Sequence, residues 1–137
     1  MTAKEFLSEM RWLDKRIEDR LEEVARLRSQ INRATAVMSD MPRGGKGRDW
    51  TDTLLKATEL ERKLADQVNE LIRWKAEIRE AIDRIDDARL RRVLELRYLN
   101  MRSWRAIARE MKYDERWVQR LHGMALAQIV VPETRHV

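Results

Sequence analysis

The sequence predicts an all-α protein: a long antiparallel helical hairpin, coiled-coil-like in pattern, followed by a compact group of short helices. Three observations support this. Gly and Pro number only four and two in 137 residues, so turns are few. Charged residues make up 39% of the chain, against roughly 25% in ordinary globular proteins. Apolar residues recur in heptads over most of the first 85 positions, the period of helices packed along a narrow seam.

The first helix is expected from Ala3 to Met38. Ala3, Met10, Ile17, Val24, Ile31 and Met38 form one heptad series, and Phe6, Leu13, Leu27 and Ala34 form the other. Arg20 interrupts the second series, and Leu21 beside it is expected to fill the gap. Residues 39–48 hold Pro42 and three of the four glycines, which marks a loop. A second helix should start at Asp49 or Thr51, either of which can cap it, and run to Ile85. Its seam reads Ala57, Leu60, Leu64, Val68, Leu71, Trp74, Ile78, Ile82, Ile85. Two helices of matched length joined by a short loop form an antiparallel hairpin. Such a hairpin buries little alone, so pairing with a second copy, as a homodimer, or with another partner is expected.

Asp86-Asp87 marks a break and an N-cap for a third helix, Ala88 to Leu99, with Asn100 as its left-handed terminator. A short helix follows from the Ser103 cap to Met111. After a tight turn, a last helix runs from Asp114 to Val130, and Pro132 ends the ordered structure. The expected organisation is therefore 1–85 as hairpin, 86–131 as a helix-turn-helix unit and 132–137 as a disordered tail.

Charge separates the same regions. Residues 1–85 carry 18 Lys and Arg against 17 Asp and Glu, whereas residues 89–120 carry 10 against 4. A basic segment beside a neutral one suits a nucleic-acid-binding end joined to a structural end. The absence of Cys excludes disulfides and thiolate zinc sites. The opening Met-Thr-Ala-Lys-Glu-Phe lacks a signal-peptide pattern, and no apolar run is long enough for a membrane span. A cytoplasmic protein without membrane association is expected. With two His and no clustered carboxylates, the sequence points away from an enzyme, a metal site or a cofactor. Gly44-Gly45-Lys46-Gly47 lacks the spacing and the following Ser or Thr of a phosphate-binding loop.

The segment after residue 100 carries the motif. Ile107 and Ala108 supply the apolar and small residues that let two short helices cross closely, while Val118 and Leu121 face back to the core. Asp114 caps the second helix. The turn position usually filled by Gly holds Lys112, and a left-handed non-Gly residue there costs about 1 kcal/mol. Trp104, Trp117 and His122 are expected to be packing residues.

The run Leu90 to Leu99, the capped Ser103 to Ala108 and the stretch Asp114 to Leu121 together resemble region four of bacterial sigma factors. The whole chain is similar to small phage and prophage proteins in which a helical hairpin precedes such a module. Met1 to Leu13, Met41-Pro42-Arg43, Leu94 to Tyr98 and Arg116 to Gly123 carry that likeness. The resemblance implies a phage transcription regulator like the late-gene activators of the ArpU type. It implies double-stranded DNA as a partner and host RNA polymerase as a candidate one, within a bacterial host cell. Glu115, Arg116, Gln119 and Arg120 are the implied base-reading residues; Arg102, Arg105, Arg109 and Lys112 are the implied phosphate contacts. Two alternatives stay open: a DNA-recognition subunit of a packaging machine, similar to a small terminase subunit, and a helical protein-interaction adaptor.

Overall fold

The structure is a computed structural model that describes residues 1–39 and 47–133. Its described residues form five helices and no strand. They are α1 (Ala3–Ser39), α2 (Gly47–Asp83), α3 (Ala88–Leu94, continued by a π-helical turn over Glu95–Leu99), α4 (Trp104–Met111) and α5 (Glu115–Ala127). No helix among the described residues is long and apolar enough to cross a membrane. The expected 39–48 loop falls mostly outside the described residues, as do positions 134–137 of the expected tail.

The chain divides into two compact units, one made of Met1–Asp14 with Arg73–Val137 and the other of Lys15–Ile72. In the second unit α1 and α2 run antiparallel. Arg20 Nε donates to Gln67 Oε1 at 3.0 Å, and Arg28 pairs with Glu61, so α2 numbers fall as α1 numbers rise. Val24, Leu64, Val68 and Leu71 are buried here. The heptad reading of α1 holds from Ala3 to Ala34, with Arg20 half-buried at its core position and engaging Glu23 and Gln67 instead of leaving a gap, while the Met38 side chain lies outside what the structure describes. Leu21 does not fill that position; it is exposed. The α2 seam needs another correction. Leu60 is 49% exposed, and Glu61 takes the half-buried place. The seam therefore steps 57, 61, 64, 68, 71, keeping a strict heptad that the 57-60-64 reading breaks.

In the first unit the outer turns of both long helices share a core with α3, α4 and α5. Phe6, Leu7, Leu13, Ile78, Ile82 and Leu90 are among its fully buried side chains, joined by Leu94, Leu96, Ile107, Val118 and Leu121. Asp14 pairs with Lys75 in the same antiparallel sense. Arg91 Nη1 donates to the Ile85 carbonyl at 2.7 Å, tying α3 to the short connection that follows α2. Arg92 meets Glu110 at 3.2 Å, tying α3 to α4.

Helix ends show which local signals decided. Asp87, Ser103 and Asp114 cap α3, α4 and α5 with their side chains, as expected. α2 begins at Gly47, earlier than Asp49 or Thr51, and ends at Asp83. Asn100 is right-handed at φ −100°, and the left-handed residue is Met101 at φ 55°. The π turn explains this shift. The Asn100 N–H closes onto the Glu95 carbonyl five residues back, adding a residue before the helix can stop. α5 ends at Ala127, short of Val130, where the Gln128 and Ile129 N–H groups bond three residues back and tighten the last turn.

Candidate nucleic-acid interface

The interface is built on α4, the turn after it and α5. Ser103 Oγ accepts from the Ala106 N–H at 3.2 Å, which starts α4. Lys112 stops it in the left-handed conformation at φ 61°, while the Tyr113 N–H closes onto the Ala108 carbonyl at 3.0 Å. Asp114 Oδ1 then accepts from the Trp117 N–H at 2.7 Å and starts α5. The position where a Gly was anticipated is thus left-handed, and Lys112 occupies it. Ile107 and Ala108 are buried on the α4 side, Val118 and Leu121 on the α5 side.

α5 has two distinct faces. Val118, Leu121, His122 and Ala125 are buried. Arg116, Gln119 and Arg120, spaced three and four residues apart, are exposed together on another side, and Gly123 continues their stripe. Nothing lies within 4 Å of where a Cβ at Gly123 would stand, so this stripe is open. Glu115 is also exposed and meets Arg105 of α4 at 3.8 Å. Arg105, Arg109 and Lys112 are exposed on α4 and its terminus, and Arg102 is exposed in the α3–α4 connection. Glu115 and Arg105 are therefore the two site residues, among those described, that pair with each other.

Behind the exposed face lies a polar cluster. His122 is 8% exposed and lies 2.7 Å from the Tyr98 hydroxyl through Nε2. Burial, and then the nearby charges of Lys4 and Arg97, push the imidazole pKa down to about 4. Burial pushes the Tyr98 phenol up. The phenol therefore keeps its proton and the imidazole is neutral, so the contact is a hydrogen bond between two uncharged groups, each able to donate or accept. Trp104 meets the His122 ring edge-on at 4.7 Å between centroids, and the Arg97 guanidinium lies 4.3 Å above the Trp104 ring. The cluster joins α5 to the π turn and to the first residue of α4. His122 is thus a packing residue, while Trp104 and Trp117 are half-buried.

Residues 31–129 match the family described as Protein of unknown function (DUF1492). The chain belongs to the DUF1492 family. The match takes in α2 and every element of the candidate interface, from the Ser103 cap through α5. No curated protein and no solved structure matches the chain.

Sequence reasoning did not find the Tyr98–His122 bond or the involvement of α1. The bond spans 24 residues, and no local spacing pairs the two side chains. Arg11 and Trp12 of α1 line a pocket with Arg97 and Arg102. They lie in the near-neutral half of the sequence, where net charge gives no signal.

Proposed function

We propose that the chain is a sequence-specific DNA-binding transcription regulator of phage or prophage origin, with α4 and α5 acting as a helix-turn-helix like that of sigma region four. The observation that carries this reading is the exposed stripe of Arg116, Gln119 and Arg120 on a helix whose other side is locked into the core. A rigid helix presenting two Arg and a Gln suits the major groove, where Arg matches guanine and Gln matches adenine. Glu115 can accept from cytosine, and its exposed pairing with Arg105 is weak enough to be exchanged on binding. Arg102, Arg105, Arg109 and Lys112 serve as phosphate contacts that set the register. Host RNA polymerase is the candidate protein partner at the promoter.

The antiparallel pair of residues 15–72 is the segment we assign to self-association, supported by exposed Leu21, Leu55, Leu60 and Ile72 along two helices with a thin core. A twofold dimer presents two α5 helices to half-sites about 10 base pairs apart, or a multiple of that. The test is selection of bound fragments from a phage genome, followed by titration with Arg116→Ala and Arg120→Ala. Each variant should lose about 1–3 kcal/mol on the selected duplex and relax its preference locally. Failure to enrich any upstream region, or wild-type affinity in both variants, overturns the reading.

A further inference from the structure

We propose that Arg11, Arg97 and Arg102 hold one backbone phosphate of the duplex whose bases α5 reads, an inference that rests on the DNA-binding reading above. A pocket of about 220 Å³ lies between the first turns of α1 and the α3–α4 connection, and three arginines line it together with Ser8, Trp12 and Tyr98. No carboxylate lines it. Three like charges around one cavity repel one another, and an anion seated among them relieves that repulsion.

The three arginines are unequally prepared. Arg97 is fixed, because its Nη1 donates to the Arg102 carbonyl at 3.0 Å and its guanidinium stacks over Trp104. Arg11 and Arg102 are exposed, and neither has an ion-pair partner among the described residues. One pre-set donor beside two free ones suits a tetrahedral anion approached from solvent. Location identifies its source. Arg102 directly precedes the Ser103 cap of α4, the helix that carries the exposed Arg105 and Arg109. Trp12, 70% exposed at the rim, offers an apolar plate for the deoxyribose next to that phosphate.

The test uses the full chain and the selected duplex, titrated between 50 and 200 mM salt. Arg11→Gln should lower the slope of log affinity against log salt by a fraction of the roughly 0.9 that one whole phosphate contact contributes, since Arg97 and Arg102 remain on that phosphate, and Arg11→Gln combined with Arg102→Gln should approach the full value. Over that range Arg11→Gln should therefore lose less affinity than wild type, by a factor below about three. It should weaken selected and random duplexes by the same factor, and Arg11→Lys should keep the wild-type slope. An unchanged slope in Arg11→Gln, with Arg120→Ala still weakened, overturns the pocket and leaves the DNA-binding reading standing. A wild-type chain that binds no duplex overturns both. Equal thermal midpoints for wild type and Arg11→Gln are expected and tie the effect to contact; a lowered midpoint that accounts for the lost affinity overturns the assignment.

Discussion

The two compact units are made from the same two long helices but bury their side chains very differently. In Met1–Asp14 with Arg73–Val137, the long helices meet three short ones, and Phe6, Ile78, Ile82 and Leu94 are wholly inaccessible. In Lys15–Ile72, the long helices have only each other among the described residues. Val24, Leu64, Val68 and Leu71 are buried there, while Leu21, Leu55 and Leu60 remain exposed. A third layer is what converts a half-covered stripe into a core. Heptad regularity therefore says where a helix is apolar, and the number of neighbours says how much of that apolar surface leaves water.

The largest expected effect probes this difference directly. Phe6→Ala removes a fully buried aromatic ring and should cost about 3–5 kcal/mol in denaturant unfolding. Leu64→Ala, at a position covered by one partner helix, should cost about 2 kcal/mol, at the low end for a Leu truncation. Equal losses at the two positions would mean that Leu64 is covered by more than one chain supplies. The comparison would then shift from two unequal units to one finished unit and one completed by assembly.

A smaller effect belongs to the first unit alone. His122 is held neutral, with its pKa pushed from 6.5 down to about 4. The folded state thus binds fewer protons than the unfolded chain between those values. Stability from this site is fully present above pH 6.5 and falls as the pH drops through that window. The total loss is on the order of 3 kcal/mol by pH 4. Unfolding midpoints measured from pH 7 to 4 should show this slope in the wild type and not in His122→Phe. If both chains lose stability alike in that window, the titrating group lies elsewhere.

What could be read in the sequence was what depends on near neighbours. Asp87, Ser103 and Asp114 cap helices because a short acceptor two or three residues before an amide is a local geometry. The α1 heptads were equally legible, since a repeat of seven is a property of one helix. The exposure of Arg116, Gln119 and Arg120 followed from helical spacing once Val118 and Leu121 were placed inside. What escaped depends on distant partners or a one-residue slip. The π turn at Glu95–Leu99 moved the left-handed position from Asn100 to Met101, and no residue type announces such a turn. Glu61 replaced Leu60 at the seam, where it pairs with Arg28 from the facing helix, a partner 33 residues away in the chain. Arg11 reached the α3–α4 connection only through the fold of the first unit.

The smallest effect concerns how that unit treats the edge of its candidate interface. Met101 and Lys112 are its two left-handed residues other than glycine among those described, Met101 two residues past the π turn and Lys112 directly after α4, and both are exposed. Each position costs about 1 kcal/mol that Gly would not incur. Lys112→Gly should therefore raise the stability of the free protein by about 1 kcal/mol, since the Lys112 side chain has no ion-pair partner among the described residues to lose. If Lys112 holds a phosphate, the same change should weaken selected and random duplexes equally and lower the salt slope by about 0.9. Denaturant unfolding and duplex titration of one variant thus measure opposite signs. A gain in stability with unchanged DNA affinity would make the left-handed lysine a strained position without a binding role. A loss of stability would mean that its side chain supports the turn. The expected pair of results, a more stable protein that binds DNA less well, places the strain where the unit meets its ligand.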